Sequence, residues 1–176
     1  MDQSVIPECY VDTNIVETLV PPVKEYNHQK GCGTVTKVMI EKFADRFALG
    51  IIDKDKREVD YLKEFSVLCA SGSIILHQHH SRPHYIIQIS PAIERFLLTS
   101  AGSAGISMAQ FDLPADFEAL KKVSKTTVSK NDIRFKKLVK ALYKNGEPEI
   151  TRLSKLVRYL KDQNYSADKL DLIAMF

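Results

Sequence analysis

The 176-residue chain is 44% hydrophobic and 27% charged with a formal net charge of +3, the makeup of an ordinary globular domain that folds without disulfides or structural zinc. No apolar run approaches the roughly 18 residues of a membrane span, the N-terminal residues lack the stretches of a secretory signal, and the three cysteines form no Cys-x-x-Cys pair. These features exclude a membrane-spanning or disulfide-stapled protein, so we expect a cytoplasmic protein with reduced thiols and no membrane partner.

The first predicted strand ends in an acidic residue. Residues 5–12 are rich in strand-forming side chains, and we predict the strand itself over Cys9–Asp12. Residues 14–20 then predict a short helix that breaks at two prolines. A glycine-rich turn at 30–34 leads into a second helix, for which Thr34 is the expected N-cap.

The second predicted strand is apolar throughout. Residues 47–52 form a short continuous apolar run, which is typical of a strand buried on both faces of a parallel sheet. Residues 58–69 have the spacing of a helix, residues 74–79 and 84–89 predict two more strands, and a further helix opens at Pro91. This alternation predicts an α/β domain with a mostly parallel sheet flanked by helices.

The C-terminal third of the chain differs in composition and charge. Residues 101–128 predict a loop or linker after an α/β domain over 1–100, and residues 129–176 predict a basic extension packed on that domain, with two amphipathic helices paired as a hairpin. Residues 1–120 carry 11 Lys and Arg against 16 Asp and Glu, whereas residues 121–176 carry 14 against 6. The basic part suits contact with a polyanion, and it equally suits a solvated helix surface.

Four carboxylates are predicted to converge at one edge of the sheet. Asp53 and Asp55 follow the apolar strand, and residues two apart in an extended segment face the same side. Asp12 lies at the predicted end of another strand, and Glu94 lies at the start of a helix that follows a strand. Because Mg²⁺ prefers hard oxygen ligands and keeps several waters, the sequence predicts a Mg²⁺ site that also accepts Mn²⁺.

These motifs resemble the TOPRIM (topoisomerase–primase) family over about residues 5–100. In that family an acidic residue ends the first strand, a Gly-Thr/Ser turn precedes the second helix, and a buried strand delivers Asp-x-Asp. The corresponding segments here are residues 10–12, 33–34 and 49–55. Residues 90–98 also resemble a signature of small TOPRIM proteins associated with restriction and phage-defence systems.

The resemblance implies a TOPRIM-like fold and a Mg²⁺-dependent nuclease acting on DNA or RNA. It implies that Asp12 performs acid–base work or binds metal, that Asp53 and Asp55 hold Mg²⁺, and that Glu94 supports them. It also implies nucleic acid as a partner, a place in anti-phage defence, and a partner ATPase subunit.

The first motif leaves alternatives open. The family usually has Glu followed by Gly where this chain has Asp12 followed by Thr13, and misplacing a catalytic group by about 1 Å can cost about 10²-fold in rate. A non-catalytic subunit that holds nucleic acid or docks a partner ATPase is therefore one alternative. Asp12-Thr13-Asn14 also resembles the strand end of PIN-domain ribonucleases, which is a further alternative.

Further residues are candidates for contacting substrate phosphates at the same edge, since they offer a cationic side chain or a backbone N–H near a helix start. These are Lys30, Gly33, Thr34, Lys54, Lys56, His80, Arg82 and His84. A transition-metal site formed by His77, His79 and His84 is the alternative role for the histidines, because His77 and His79 share one face of a predicted strand.

Overall fold

The chain folds as one sheet between two helical layers. The computed structural model describes residues 2–54 and 59–176. Its strands are β1 (Val5–Pro7), β2 (Ala48–Asp53), β3 (Phe65–Ser71), β4 (Ile74–His79) and β5 (His84–Ile89). Its α-helices are α1 (Tyr10–Leu19), α2 (Cys32–Val38), α3 (Ile93–Ser103), α4 (Phe117–Ser124), α5 (Ile133–Lys144), α6 (Pro148–Gln163) and α7 (Lys169–Ile173). The predicted α/β class is confirmed.

The sheet is mixed rather than mostly parallel. Its strand order is β1-β2-β5-β4-β3. β2 pairs in parallel with both β1 and β5, while β4 runs antiparallel to both β5 and β3. The prediction of a mostly parallel sheet was wrong because β3, β4 and β5 follow one another through short connections. Short connections join antiparallel neighbours, whereas a parallel pair needs a long crossover.

Side chains of β2, an interior strand of the sheet, alternate between two cores. On β2, Leu49 and Ile51 lie in the larger core, and Ala48 and Ile52 lie in the smaller core on the opposite face. This period of two is what an extended strand imposes. The continuous apolar run that predicted β2 therefore has a simple cause, because both faces of the strand are covered.

Helices from both ends of the chain build the larger core. Buried residues of α1, α3, α5 and α6 pack against this face of the sheet. The buried side-chain amide of Asn14 on α1 donates hydrogen bonds to the carbonyl oxygens of Ser129 at 2.7 Å and Asp132 at 3.1 Å. The chain just before α5 is therefore bonded directly to the first helix.

The first strand lies earlier than the sequence pattern indicated. β1 covers Val5–Pro7, and the strand predicted over Cys9–Asp12 lies instead at the start of α1. Cys9 is the N-cap of α1: its thiol accepts a hydrogen bond from the Asp12 N–H, and Asp12 Oδ2 accepts one from the Cys9 N–H at 3.1 Å. This reciprocal capping stabilises the helix start and overrides the β propensity of the intervening residues.

A strand also replaces one predicted helix. Residues 58–69 carry apolar side chains at helical spacing, but the structure has a 3-10 turn at Asp60–Glu64 followed by β3. β3 forms its backbone hydrogen bonds with β4, to which a two-residue turn joins it. Pairing with the adjacent strand overrides the local helical pattern, because tertiary context outweighs propensity.

Residues 101–128, predicted as a loop or linker, contain ordered elements. They include the end of α3, a 3-10 turn at Met108–Phe111, and α4. Asp116 is the N-cap of α4, and its side chain accepts a hydrogen bond from the Ala119 N–H at 2.8 Å. Among the helices of residues 2–54 and 59–176, none is long and apolar enough to cross a membrane.

Gly50 on β2 is closely packed against the smaller core, which α2 and the π-helical segment Met39–Phe43 cover. A Cβ atom added at Gly50 would lie 3.0 Å from Met39 Sδ and 3.2 Å from Val35 Cγ1. We expect Gly50→Val to lower the free energy of unfolding by about 1–3 kcal/mol, because overpacking displaces these neighbours. Urea unfolding at neutral pH measures the change.

A glycine on a helix supplies the matched control. Nothing lies within 4 Å of a Cβ atom added at Gly102 on α3, so Gly102→Ala is expected to leave the free energy of unfolding unchanged or raise it by up to about 1 kcal/mol. A Gly50→Val variant as stable as the wild type would contradict the close packing described for β2.

Candidate functional site

Two carboxylates lie at the ends of neighbouring parallel strands. Glu8 directly follows β1, and Asp53 is the last residue of β2. The backbone N–H of Asp53 donates a hydrogen bond to Glu8 Oε2 at 2.9 Å, which holds the Glu8 carboxylate against the end of β2. Because the two strands are parallel, their carboxyl ends meet at one edge of the sheet, where α/β proteins commonly bind ligands.

Two helices begin at the same edge and add two more acids. The N–H of Ile93, the first residue of α3, donates to Asp53 Oδ1 at 2.9 Å, so the positive end of this helix dipole faces Asp53. Glu94 follows in the first turn of α3 and is buried. Asp12 lies in the first turn of α1 and is only 1% exposed. We call Glu8, Asp12, Asp53 and Glu94 the acid cluster.

The members of the acid cluster repel one another. Burial raises the pKa of Asp12 above its ordinary value, and the charges of Glu8 and Glu94 raise it further. Burial also raises the pKa of Asp53, and the charges of Asp12, Glu8 and Glu94 add to that increase. A cluster of this kind retains protons at neutral pH unless a cation compensates its charge.

Neighbouring groups position the acid cluster and leave one oxygen without a partner. The hydroxyl of Ser124 at the end of α4 donates to Glu94 Oε1. The Cys9 N–H holds Asp12 Oδ2, but Asp12 Oδ1 is buried and has no hydrogen-bond partner. Burying such an oxygen is unfavourable, and either a proton or a cation relieves the penalty.

A cleft of about 430 Å³ opens onto the acid cluster. Glu8, Asp53 and Glu94 line it together with three lysines. The lysines are Lys30, which precedes α2, Lys121 on α4, and Lys125 directly after α4. Acidic and basic side chains in one cleft suit a ligand that brings a cation and a phosphate together.

Aromatic rings line the same cleft. Tyr10 and His28 stack with ring centroids 4.4 Å apart and ring planes at 23°. Phe117 at the start of α4 has the guanidinium carbon of Arg95 at 4.5 Å and Lys121 Nζ at 5.6 Å from its ring centroid. The cleft therefore combines aromatic rings with cationic side chains that lie over them.

The donor chemistry of the acid cluster fits Mg²⁺. Its members supply carboxylate oxygens, the hard ligands that Mg²⁺ prefers, and one of these oxygens is buried without a partner. Over residues 2–54 and 59–176, no group of three His, Cys, Asp or Glu side chains is arranged as a ready-made metal site. Mg²⁺ typically takes one or two protein carboxylates and completes its shell with water and substrate oxygens, so it does not need such a group.

The structure brings several of the predicted catalytic residues together. Asp53 and Glu94 belong to the acid cluster, and so does Asp12, although Asp12 lies on a helix and not at the end of a strand. Asp55 and Lys56 lie outside the described residues.

Only part of the glycine-rich turn at residues 30–34, predicted to contact phosphate, lies at the cleft. Lys30 lines the cleft, whereas among the described lining residues neither Gly33 nor Thr34 occurs. Thr34 is also not the N-cap that the sequence indicated: Gly31 occupies that position, and the Thr34 hydroxyl donates back to the carbonyl oxygens of Lys30 and Gly31. Lys54 is exposed at the end of β2.

The histidine-rich hairpin lies at the opposite end of the sheet. His84 begins β5 where β2 also begins, five residues and about 16 Å from the level of Asp53. His84 is fully buried, and its ring nitrogens are hydrogen-bonded to the Tyr61 hydroxyl at 2.7 Å and the Arg46 carbonyl at 3.0 Å. Burial lowers the pKa of His84 to about 4, so the ring is neutral and structural. The predicted contact of His84 with phosphate beside the acid cluster is wrong, because His84 lies at the other end of the sheet.

The other residues of this hairpin have local partners as well. His80 Nε2 is hydrogen-bonded to Ser66 Oγ at 2.9 Å, and the guanidinium of Arg82 lies over the Tyr61 ring. His77 Nε2 is bonded to Gln88 Oε1 at 3.1 Å, and His79 Nε2 to Glu64 Oε2 at 3.1 Å. Because the hairpin is remote from the acid cluster, the predicted contacts of His80 and Arg82 with phosphate at that edge are also wrong. Among the described residues, no group of three His, Cys, Asp or Glu side chains is arranged to support the alternative of a transition-metal site at His77, His79 and His84.

The sequence patterns missed Glu8 and the cleft residues on α4. Placing the first strand too late moved its end from Glu8 to Asp12. A signal for the correct position was present, because Val11, Ile15 and Leu19 have helical spacing and all face the larger core. That spacing places a helix start near residue 10 and the strand end before it.

Comparisons of the chain with protein-family models, with curated proteins and with solved structures find no match. Its function is therefore inferred from the chemistry of the cleft.

Proposed function

We propose that this chain is a Mg²⁺-dependent nuclease that hydrolyses phosphodiester bonds in DNA or RNA and that also accepts Mn²⁺. The observation that carries the proposal is the cleft, where three members of the acid cluster, Glu8, Asp53 and Glu94, lie with Lys30, Lys121 and Lys125. Carboxylates hold the divalent cation in enzymes of this class, and lysines attract the phosphate backbone.

The proposal keeps the TOPRIM resemblance with one change of residue. Glu8, and not Asp12, follows the first strand and occupies the strand-end position of the motif. The family usually has Glu followed by Gly there, and this chain has Glu8 followed by Cys9, so it departs from the pattern at the second of the two residues only. The PIN alternative loses its support, because Asp12-Thr13-Asn14 lies within α1 rather than at the end of a strand.

Each acid has a role that follows from its surroundings. Asp53, positioned by the α3 N-terminus, and Asp12, with its unpartnered Oδ1, are the residues that would hold the cation. When bound, Mg²⁺ would stabilise the negative charge on the phosphate and lower the pKa of a water molecule bound to it. Glu8 is half-buried, lines the cleft and accepts the proton of the attacking water as general base. Glu94, fixed by Ser124, supports the cluster.

The basic C-terminal part of the chain extends the proposed nucleic-acid surface. Residues 121–176 carry 14 Lys and Arg against 6 Asp and Glu. We propose that the helical hairpin of α5 and α6 contacts the phosphate backbone beyond the cleft, which predicts binding that weakens steeply with salt. Anti-phage defence and a partner ATPase subunit remain proposals that only the TOPRIM resemblance supports.

Cleavage of labelled DNA and RNA, single-stranded and duplex, with Mg²⁺ or Mn²⁺ tests the proposal. We expect metal-dependent cleavage by the wild type and a loss of about 10³-fold in Asp53→Asn, because the neutral amide removes a charged ligand but still accepts the Ile93 N–H. Initial rates measured at several metal concentrations separate weaker metal binding from slower chemistry.

Asp112→Asn is the matched control, since Asp112 is exposed, has a positive φ of 55° that Asn tolerates, and does not line the cleft. It should cleave at the wild-type rate. Wild-type protein that binds nucleic acid but cleaves none of these substrates would overturn the nuclease proposal in favour of the non-catalytic subunit.

A further inference from the structure

We propose that the cleft takes single-stranded nucleic acid, with an unpaired base stacked against the aromatic surface of Tyr10 and its backbone phosphate beside Lys30. This inference rests on the nucleic-acid part of the proposed function and specifies its substrate. The charged groups of the cleft alone do not distinguish a single strand from a duplex, because both carry the same phosphates. The aromatic residues make the distinction.

The first aromatic surface is held in place before any ligand binds. The Thr13 hydroxyl donates to the Cys9 carbonyl at 2.8 Å, so its oxygen accepts the hydrogen of His28 Nδ1 at 2.9 Å. That bond fixes the His28 ring, and the ring in turn supports Tyr10 in the stacked arrangement. Lys30 Nζ lies over the Tyr10 ring, 5.8 Å from its centroid. A base that stacks on Tyr10 takes the place of this flexible side chain, whose ammonium then meets the phosphate of the same nucleotide.

The second aromatic surface comes from α4. Phe117 lines the cleft half-buried, with the cationic groups of Arg95 and Lys121 close to its ring. Arg95 is exposed on α3. Aromatic rings interleaved with Lys and Arg are the arrangement by which proteins bind single strands, since every base offers a flat face and every nucleotide a phosphate.

The size of the cleft agrees with this assignment. A volume of about 430 Å³ accommodates one or two nucleotides, and it is too small to admit an intact double helix. In a duplex the faces of the bases are already stacked on one another, so Tyr10 and Phe117 can reach a base only after it has left the stack. Unpaired nucleotides avoid the energy of that step.

Fluorescence anisotropy in the presence of EDTA, where no metal-dependent cleavage occurs, tests the inference with labelled ten-residue DNA and RNA single strands and with hairpin duplexes of the same composition. We expect the wild type to bind the single strands at least 10-fold more tightly than the duplexes. Tyr10→Leu and Phe117→Leu should each weaken single-strand binding by about 10-fold and leave duplex binding nearly unchanged.

Two controls separate stacking from general damage. Tyr10→Phe keeps the ring and should retain the single-strand binding that Tyr10→Leu loses. Val67→Ala removes exposed apolar surface from β3, outside the cleft, and should leave the binding of both ligands unchanged. Equal binding of single strands and duplexes, or unchanged binding by Tyr10→Leu and Phe117→Leu, would overturn the inference. Cleavage is measured in a separate assay with Mg²⁺. If single-strand binding depends on Tyr10 but no substrate is cleaved, the result supports this inference and overturns the nuclease proposal.

Discussion

Glu8→Gln is expected to lower the Mg²⁺-dependent cleavage rate by about 10³-fold, within the range that loss of a general base produces. The amide cannot accept a proton, but its oxygen can still accept the hydrogen bond from the Asp53 N–H, so the end of β2 keeps its geometry. Single-turnover kinetics with enzyme in excess measures the chemical step directly. We expect substrate binding in EDTA to stay within about 3-fold of the wild type.

The pH profile of cleavage and a surface variant show whether the lower rate of Glu8→Gln comes from the loss of a general base at Glu8. An acid that works as a general base gives a rate that rises with pH until the group is ionised, and Glu8→Gln should lose that dependence along with the rate. Glu41→Gln changes an exposed carboxylate on the far side of the sheet and should leave cleavage unchanged. Wild-type cleavage by Glu8→Gln would show that Glu8 is not the base.

Asp53→Asn is expected to raise the free energy of unfolding of the metal-free protein at pH 8 by on the order of 2–3 kcal/mol. Burial and three neighbouring acids raise the pKa of Asp53 in the folded state above its value in the unfolded chain. The stability contributed by this group is therefore fully present below about pH 4 and is lost as the pH rises through the folded-state pKa. A neutral amide avoids this loss, so the two proteins should differ at pH 8 and converge at pH 4.

Mg²⁺ should restore stability to the wild type but not to the variant. A cation that binds only the folded protein at 100 times its dissociation constant stabilises it by about 2.7 kcal/mol. Urea unfolding at pH 4 and pH 8, with EDTA or with Mg²⁺, measures both effects. If Asp53→Asn were less stable than the wild type in EDTA at pH 8, the repulsion described for the acid cluster would be contradicted.

The parts of the fold that the sequence predicted well are those whose pattern has one physical cause. Residues 47–52 predict β2 because both faces of an interior strand are covered, and a run of six residues has the length of a strand rather than of a helix. The strands at 74–79 and 84–89 agree with β4 and β5, and the helix expected after Pro91 agrees with α3. Asp53 was therefore placed at a strand end from the sequence alone.

The errors occur where a local interaction competes with propensity. Cysteine is not among the residues that usually cap helices, so Cys9 did not indicate the start of α1. Glu8 was therefore not recognised as the acid at the end of β1. The cleft residues of α4 were missed for another reason. Phe117, Lys121 and Ser124 reach the acid cluster through the tertiary packing of α4 on α3, which no periodicity within residues 101–128 encodes.

The hydrogen bonds from Asn14 to the carbonyl oxygens of Ser129 and Asp132 join residues more than a hundred positions apart. During translation the acids at 8, 12, 53 and 94 leave the ribosome well before these partners and before α5 and α6, which complete the larger core. A nascent chain thus carries its acids without the packing that gathers them into a cleft. If the protein cuts nucleic acid, we expect cleavage to begin only after residues 129–132 have been made and Asn14 has its partners.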